Sequence, residues 1–193
     1  VISDGLYSGI VAGSINSGSI DVSDISIDNC SVISKANYVG TFAGYASCDG
    51  QVTNVNIADT TVNGAEFVAG VVGLAEGKLA VKSVTADGMK IKGVSEVSGV
   101  AAGKGEVSIV NVKVVSSEVA TIADSSAFVA GGIASSFGSS ISDVELRNTV
   151  VKAGVASAVV GKAIPDAKLS IKSANLYGVK IQSKNANTVA AGI

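Results

Sequence analysis

The chain has 193 residues, 47% of them hydrophobic but only 4% aromatic, with 23 Gly, one Pro, no His and a formal net charge of −2. That length suits one substantial domain. The charge argues against a nucleic-acid partner, which calls for a basic face, and the lack of His removes the commonest general base and transition-metal ligand.

The apolar mass is Val, Ile and Ala, residues that fit a pleated surface. Runs of Val, Ile, Ser, Thr and Asn cut by Gly read as strands and turns, so the fold class is all-β. No apolar run approaches the roughly 20 residues of a membrane-spanning helix. The sequence opens at Val1 without Met or a signal-peptide pattern, as a processed chain or a piece of a longer one would.

From the N-terminus onward the chain repeats itself. A Gly-bracketed apolar run opens at Tyr7, Tyr38, Phe67, Val97, Phe128, Ala158 and Thr188, in steps of 31, 29, 30, 31, 30 and 30 residues. After each run comes a spaced apolar series, first Ile20, Val22, Ile25, Ile27, Cys30 and Val32, then Val52, Val55, Ile57, Thr60 and Val62. The third is Leu79, Val81, Val84, Ala86, Met89 and Ile91, and the fourth Val107, Ile109, Val112, Val114 and Val119. Ile141, Val144, Leu146 and Val151 follow, then Leu169, Ile171, Ala174, Leu176, Val179 and Ile181. Pairs at i, i+2 mark the inward face of a strand and three-residue steps mark corners. Asn54, Asp59, Asp87, Gly88 and Asn148 fall at those corners, where Asn, Asp and Gly tolerate turn geometry.

The pattern predicts a right-handed parallel β-helix with about 30 residues and three strands per coil, about six and a half coils in one domain over 1–193. The glycines are expected where the backbone leaves no room for a side chain. VISDGLY at 1–7 aligns with VISKANY at 32–38, so the chain is expected to begin inside the last strand of a coil and to stop at Ile193 inside the first strand of another, uncapped at both ends.

GIVAG (9–13), GTFAG (40–44), GVVG (70–73), GVAAG (99–103) and GGIA (131–134), each followed by a turn and an alternating strand, resemble GLUG-type repeats. Such repeats occur in bacterial surface and secreted proteins, often as β-helical segments of long adhesin-like chains. The resemblance implies an extracellular or cell-surface setting. It covers most of the chain; residues 158–193 depart from it, keeping only Gly161 and Gly192.

Some parallel β-helices are polysaccharide lyases or hydrolases, and such chemistry needs carboxylates facing one sugar. Asp21, Asp24 and Asp28 are the densest acidic group, yet all three flank inward residues and so read as outward or corner positions, with calcium a lesser reading for hard oxygen ligands. The abundant Ser has no base to activate it. The expectation is no enzyme, no catalytic residue, no metal and no cofactor. Cys30 shares the inward slot of Thr60 while Cys48 lies at a different corner, which favours free thiols. Thr41, Thr53, Thr60, Thr85 and Thr149 do not form the single Thr column of an ice-binding face. Tyr45 and Tyr177 are the outward aromatic candidates for a glycan or host-surface ligand.

Charge is segregated. Residues 1–60 carry Asp4, Asp21, Asp24, Asp28, Asp49 and Asp59 against Lys35, whereas residues 152–193 carry Lys152, Lys162, Lys168, Lys172, Lys180 and Lys184 against Asp166. In a solenoid, sequence order is axial position, so the rod is expected to be an electric dipole that associates end to end, with more of the same chain or with another copy.

Overall fold

The computed structural model describes residues 1–16, 18–123, 125, 127–183 and 190–191. Every strand pairs in parallel with its counterparts about 30 residues away, so the chain is a parallel β-solenoid whose four sheets run along one axis. The first sheet comprises Tyr7–Ser8, Tyr38–Gly40, Phe67–Ala69, Glu96–Ser98, Val129–Gly131, Val155–Ser157 and Ala190–Ala191. The second comprises Ala12–Ile15, Ala43–Ser47, Val72–Glu76, Ala101–Gly103, Ala134–Phe137 and Val160–Ala163. The third, with the longest strands, comprises Ser19–Asp28, Asp49–Ala58, Leu79–Asp87, Ser108–Val115, Ser140–Arg147 and Ser170–Tyr177. Ile2–Ser3, Ser31–Ser34, Thr61–Asn63, Lys90–Gly93, Glu118–Thr121, Val150–Ala153 and Lys180–Ser183 form the fourth.

Each coil therefore holds four strands, not three. The Gly-bracketed run is bent at its middle, with Thr41 and Phe42 forming the corner between Tyr38–Gly40 and Ala43–Ser47. The two legs of this bend come so close that a Cβ built on Gly44 would lie 2.4 Å from the Tyr38 carbonyl oxygen and 2.6 Å from the Ser8 nitrogen. Only glycine fits there, as the sequence predicts.

The expected inward columns are present in register. Val22, Val52, Val81, Ile109, Ile141 and Ile171 stack strand on strand, as do Ile27, Ile57, Ala86, Val114, Leu146 and Leu176. Val52, Ile57, Val81 and Ile109 are fully buried; Phe42 and Phe137 are the largest side chains in the core. The three-residue steps are left-handed residues in every coil. Asp24, Asn54, Ser83, Asn111, Asp143 and Ser173 have φ of 60, 53, 52, 55, 55 and 57° and bend the long strands of the third sheet. Asn29, Asp59, Gly88, Ser116, Asn148 and Gly178, at 49, 44, 66, 48, 51 and 61°, turn the chain into the fourth sheet. Asp87 is the exception among the expected corner residues, lying within its strand opposite Ala58 and Val115.

Three openings move. Glu96 pairs with Phe67, so the fourth coil opens one residue before Val97. Val129 pairs with Glu96 and Val155 with Val129, which displaces Phe128 and Ala158 as openers. Seven residues, 122–128, lie between Glu118–Thr121 and Val129–Gly131, whereas Gly154 alone separates Val150–Ala153 from Val155–Ser157. Thr188, Lys184, Gly192 and Ile193 lie outside the described residues.

Candidate functional site

Asp21, Asp24 and Asp28 lie on Ser19–Asp28 and are exposed, as their place in the repeat predicts. Each has its own surroundings. Asp21 Oδ1 accepts from Gln51 Nε2 at 3.1 Å. Asp24 Oδ2 accepts from Ser23 Oγ at 2.7 Å and Oδ1 from Asn54 Nδ2 at 3.1 Å; these bonds hold its carboxyl below the usual range. Among the described residues no three acidic, Cys or His side chains are grouped to hold a metal ion.

An open depression of about 660 Å³ begins beside Asp21 and crosses three coils of the third sheet, past Asp49, Gln51, Lys78 and Lys82. Its wall is a chain of hydrogen bonds. Lys82 Nζ donates to Gln51 Oε1 at 3.3 Å, and the Lys78 backbone N–H donates to Asp49 Oδ1 at 3.1 Å. The sequence reading missed this depression, although Gln51 stacks on Asp21 in one outward column and Lys82 on Thr53 in the next.

The aromatics depart from expectation. Tyr7, Tyr38 and Phe67 stack on the outer side of the first sheet with ring centroids 5.3 and 5.5 Å apart. Tyr45 joins them at 5.3 Å from Tyr7 and 5.7 Å from Tyr38, and its hydroxyl donates to Glu76 Oε2 at 2.7 Å. Lys104 Nζ lies 4.8 Å above the Phe67 ring. Tyr45 is therefore part of a half-buried cluster. Burial and the carboxylates of Glu66 and Glu76 push the Tyr38 hydroxyl up, and the Glu76 bond does the same for Tyr45. Tyr177 stands apart, 51% exposed, with the Arg147 guanidinium 5.1 Å from its ring.

Cys30 and Cys48 are both free thiols, and Cys48 is buried, which raises its thiol. Cys30 shares its column with Thr60: the Thr61 N–H donates to the Cys30 carbonyl at 3.0 Å, and the Cys30 N–H reaches Thr60 Oγ1 at 3.5 Å. Thr60 and Thr149 turn out to share this column too, but it faces inward and both are fully buried.

On the fourth sheet, Glu118 lies between two lysines: Lys92 Nζ is 3.7 Å from Oε2 and Lys152 Nζ is 3.3 Å from Oε1. They line an open trough of about 320 Å³ with Ala120, Thr121 and Ile122. The end strands of the third sheet differ in charge. Ser19–Asp28 carries Asp21, Asp24 and Asp28, whereas Ser170–Tyr177 carries Lys172 and is flanked by Lys168 and Lys180. Each pairs with one neighbour among the described residues. Among the described residues no helix is long and apolar enough to cross a membrane. No protein-family model, curated protein or solved structure matches this chain.

Proposed function

We propose that this chain is a non-catalytic structural and adhesive β-solenoid that acts outside the cell. It would lengthen by adding strands at its ends, through further coils of a longer chain or through another copy. One observation supports this reading above the others: Ser19–Asp28 and Ser170–Tyr177 are the end strands of the same sheet among the described residues and carry opposite charge. An open edge is a template for pairing. Complementary charge fixes the polarity of the encounter, and a heterologous contact that does not close yields a fibre. The GLUG-like runs favour the surface setting.

Light scattering of the purified chain across a salt series, with negative-stain micrographs of the same samples, tests the stacking. Mass and rod length should grow at low ionic strength and fall once the Debye length drops to about 8 Å near 0.15 M salt. A single short rod at every ionic strength would sink it. A second reading, a carbohydrate-binding module, is favoured by the lysine-flanked trough of the fourth sheet.

A further inference from the structure

The outer face of the fourth sheet changes along the axis. Its outward positions in the early coils, among them Ile33, Thr61 and Asn63, are uncharged. From the fourth strand onward the outward side chains include Lys90, Lys92, Lys152 and Lys180, with Glu118 the single carboxylate among them. An excess of positive charge thus lies on one face of a chain whose total is −2. Lys92, Ala120 and Lys152 form one outward column, so the small Ala120 is the floor of the trough and an ammonium group stands at either end.

We propose that this face binds an acidic polysaccharide, a linear glycan bearing uronate or sulfate groups, laid along the solenoid axis. The proposal rests on the carbohydrate-binding reading and supplies its ligand class. Strand spacing sets the axial pitch of the cations: Lys92 and Lys152 are two strands apart in one column, about 10 Å, and Lys180 lies one strand beyond Lys152, about 5 Å further along the axis, in the neighbouring column. That is the scale of one or two sugar units and far sparser than duplex DNA, with one charge per roughly 1.7 Å of axis. Glu118 sharpens the choice. In the middle of the row it repels a densely charged polymer, but it tolerates one whose anions are separated by neutral hydroxyls. Those hydroxyls can donate to Glu118 and pair with the Gln182 side chain, which follows Lys152 in the column of Lys92 and Ala120.

Biolayer interferometry of the whole chain over immobilised polygalacturonate, neutral dextran and duplex DNA tests this at low ionic strength. The chain should bind polygalacturonate and not dextran. Lys92→Gln combined with Lys152→Gln should weaken binding about tenfold, since each partly screened ammonium contributes a few-fold. Glu118→Gln should strengthen it. Lys35→Gln, an exposed lysine paired only with Asp4 at 3.8 Å, should leave it unchanged. All are surface changes, and thermal melts confirm that each variant folds. Failure to bind polygalacturonate, an equal loss with Lys35→Gln, or tighter binding to DNA overturns the proposal. Fibre growth in the salt series is read separately, so either idea can fail alone.

Discussion

Asp24, Asn54, Ser83, Asn111, Asp143 and Ser173 accept a backbone conformation that costs most L-residues roughly 1–2 kcal/mol, and short polar side chains reduce that cost by bonding locally. Here they also bond along the stack: Asn54 to Asp24, and Asn111 Nδ2 to Ser83 Oγ at 3.2 Å. The second left-handed column is followed by an inward column with its own device. Thr60 Oγ1 donates to the Ala58 carbonyl at 2.8 Å, Ser117 Oγ to Val115 at 2.7 Å and Thr149 Oγ1 to Arg147 at 3.1 Å, each reaching back two residues across the turn. A buried hydroxyl is tolerated because it bonds a carbonyl beside the turn. Glycine serves a different need at Gly99, where a Cβ would lie 1.8 Å from the Gly132 carbonyl oxygen of the next coil. Gly99→Ala should therefore force two coils apart and cost about 3 kcal/mol or more, at the upper end of overpacking effects. Gly13→Ala, whose added carbon would meet nothing closer than 3.3 Å, should change stability by less than about 0.5 kcal/mol. Urea unfolding of both variants checks the contrast; equal losses would show that the coils are not packed as described.

At the scale of strands, register is what the repeat encodes. Val112 and Val110 are two residues apart on Ser108–Val115 but separated by the left-handed Asn111, so Val112 is buried while Val110 faces out beside Lys82 and Ser142. Val112→Asp would bury a carboxylate with no partner, a penalty of several kcal/mol. It should abolish the cooperative unfolding transition followed by circular dichroism. Val110→Asp puts the same charge next to an ammonium and should shift stability by less than about 1 kcal/mol. The inward columns and corners were legible because apolar spacing of two and three leaves little freedom in facing once coils stack. The fold of the Gly-bracketed run in two was not, since glycine has no side chain to report which way it faces. For the same reason Tyr7, Tyr38 and Phe67 read as strand openers and not as an outward stack. The later openings were hidden by compensation, the seven residues between Glu118–Thr121 and Val129–Gly131 being followed by the single Gly154, so that the average period barely changes. The troughs were not legible because they lie between residues about 30 apart that only the register brings together.

On the scale of the whole molecule, stacking makes the axis a coordinate along which chemistry is sorted. About six coils at the strand spacing make a rod roughly 30 Å long. Its first coil carries Asp21, Asp24 and Asp28, and the last strand of the third sheet carries Lys172 with Lys168 and Lys180 on either side of it. Over that length the opposite charges of one rod hardly interact at physiological salt, but those of two rods meeting end to end do, because contact brings them within a Debye length. The dipole therefore acts on association and contributes little to folding. Reversing one end separates the two effects. Asp21→Lys, Asp24→Asn and Asp28→Lys together should leave the unfolding midpoint nearly unchanged, since all three side chains are exposed and Asn tolerates the left-handed backbone at position 24. The same changes should eliminate the low-salt growth in mass, because like charges would then face each other across every junction. Adding Lys168→Glu, Lys172→Glu and Lys180→Glu to that chain inverts the dipole and should restore growth. Sedimentation velocity of the three proteins at low and high salt decides the matter. Growth that persists after the first reversal would mean that edge pairing alone drives assembly, and loss without recovery in the doubly reversed chain would mean that specific aspartates, not the sign of the field, make the contact.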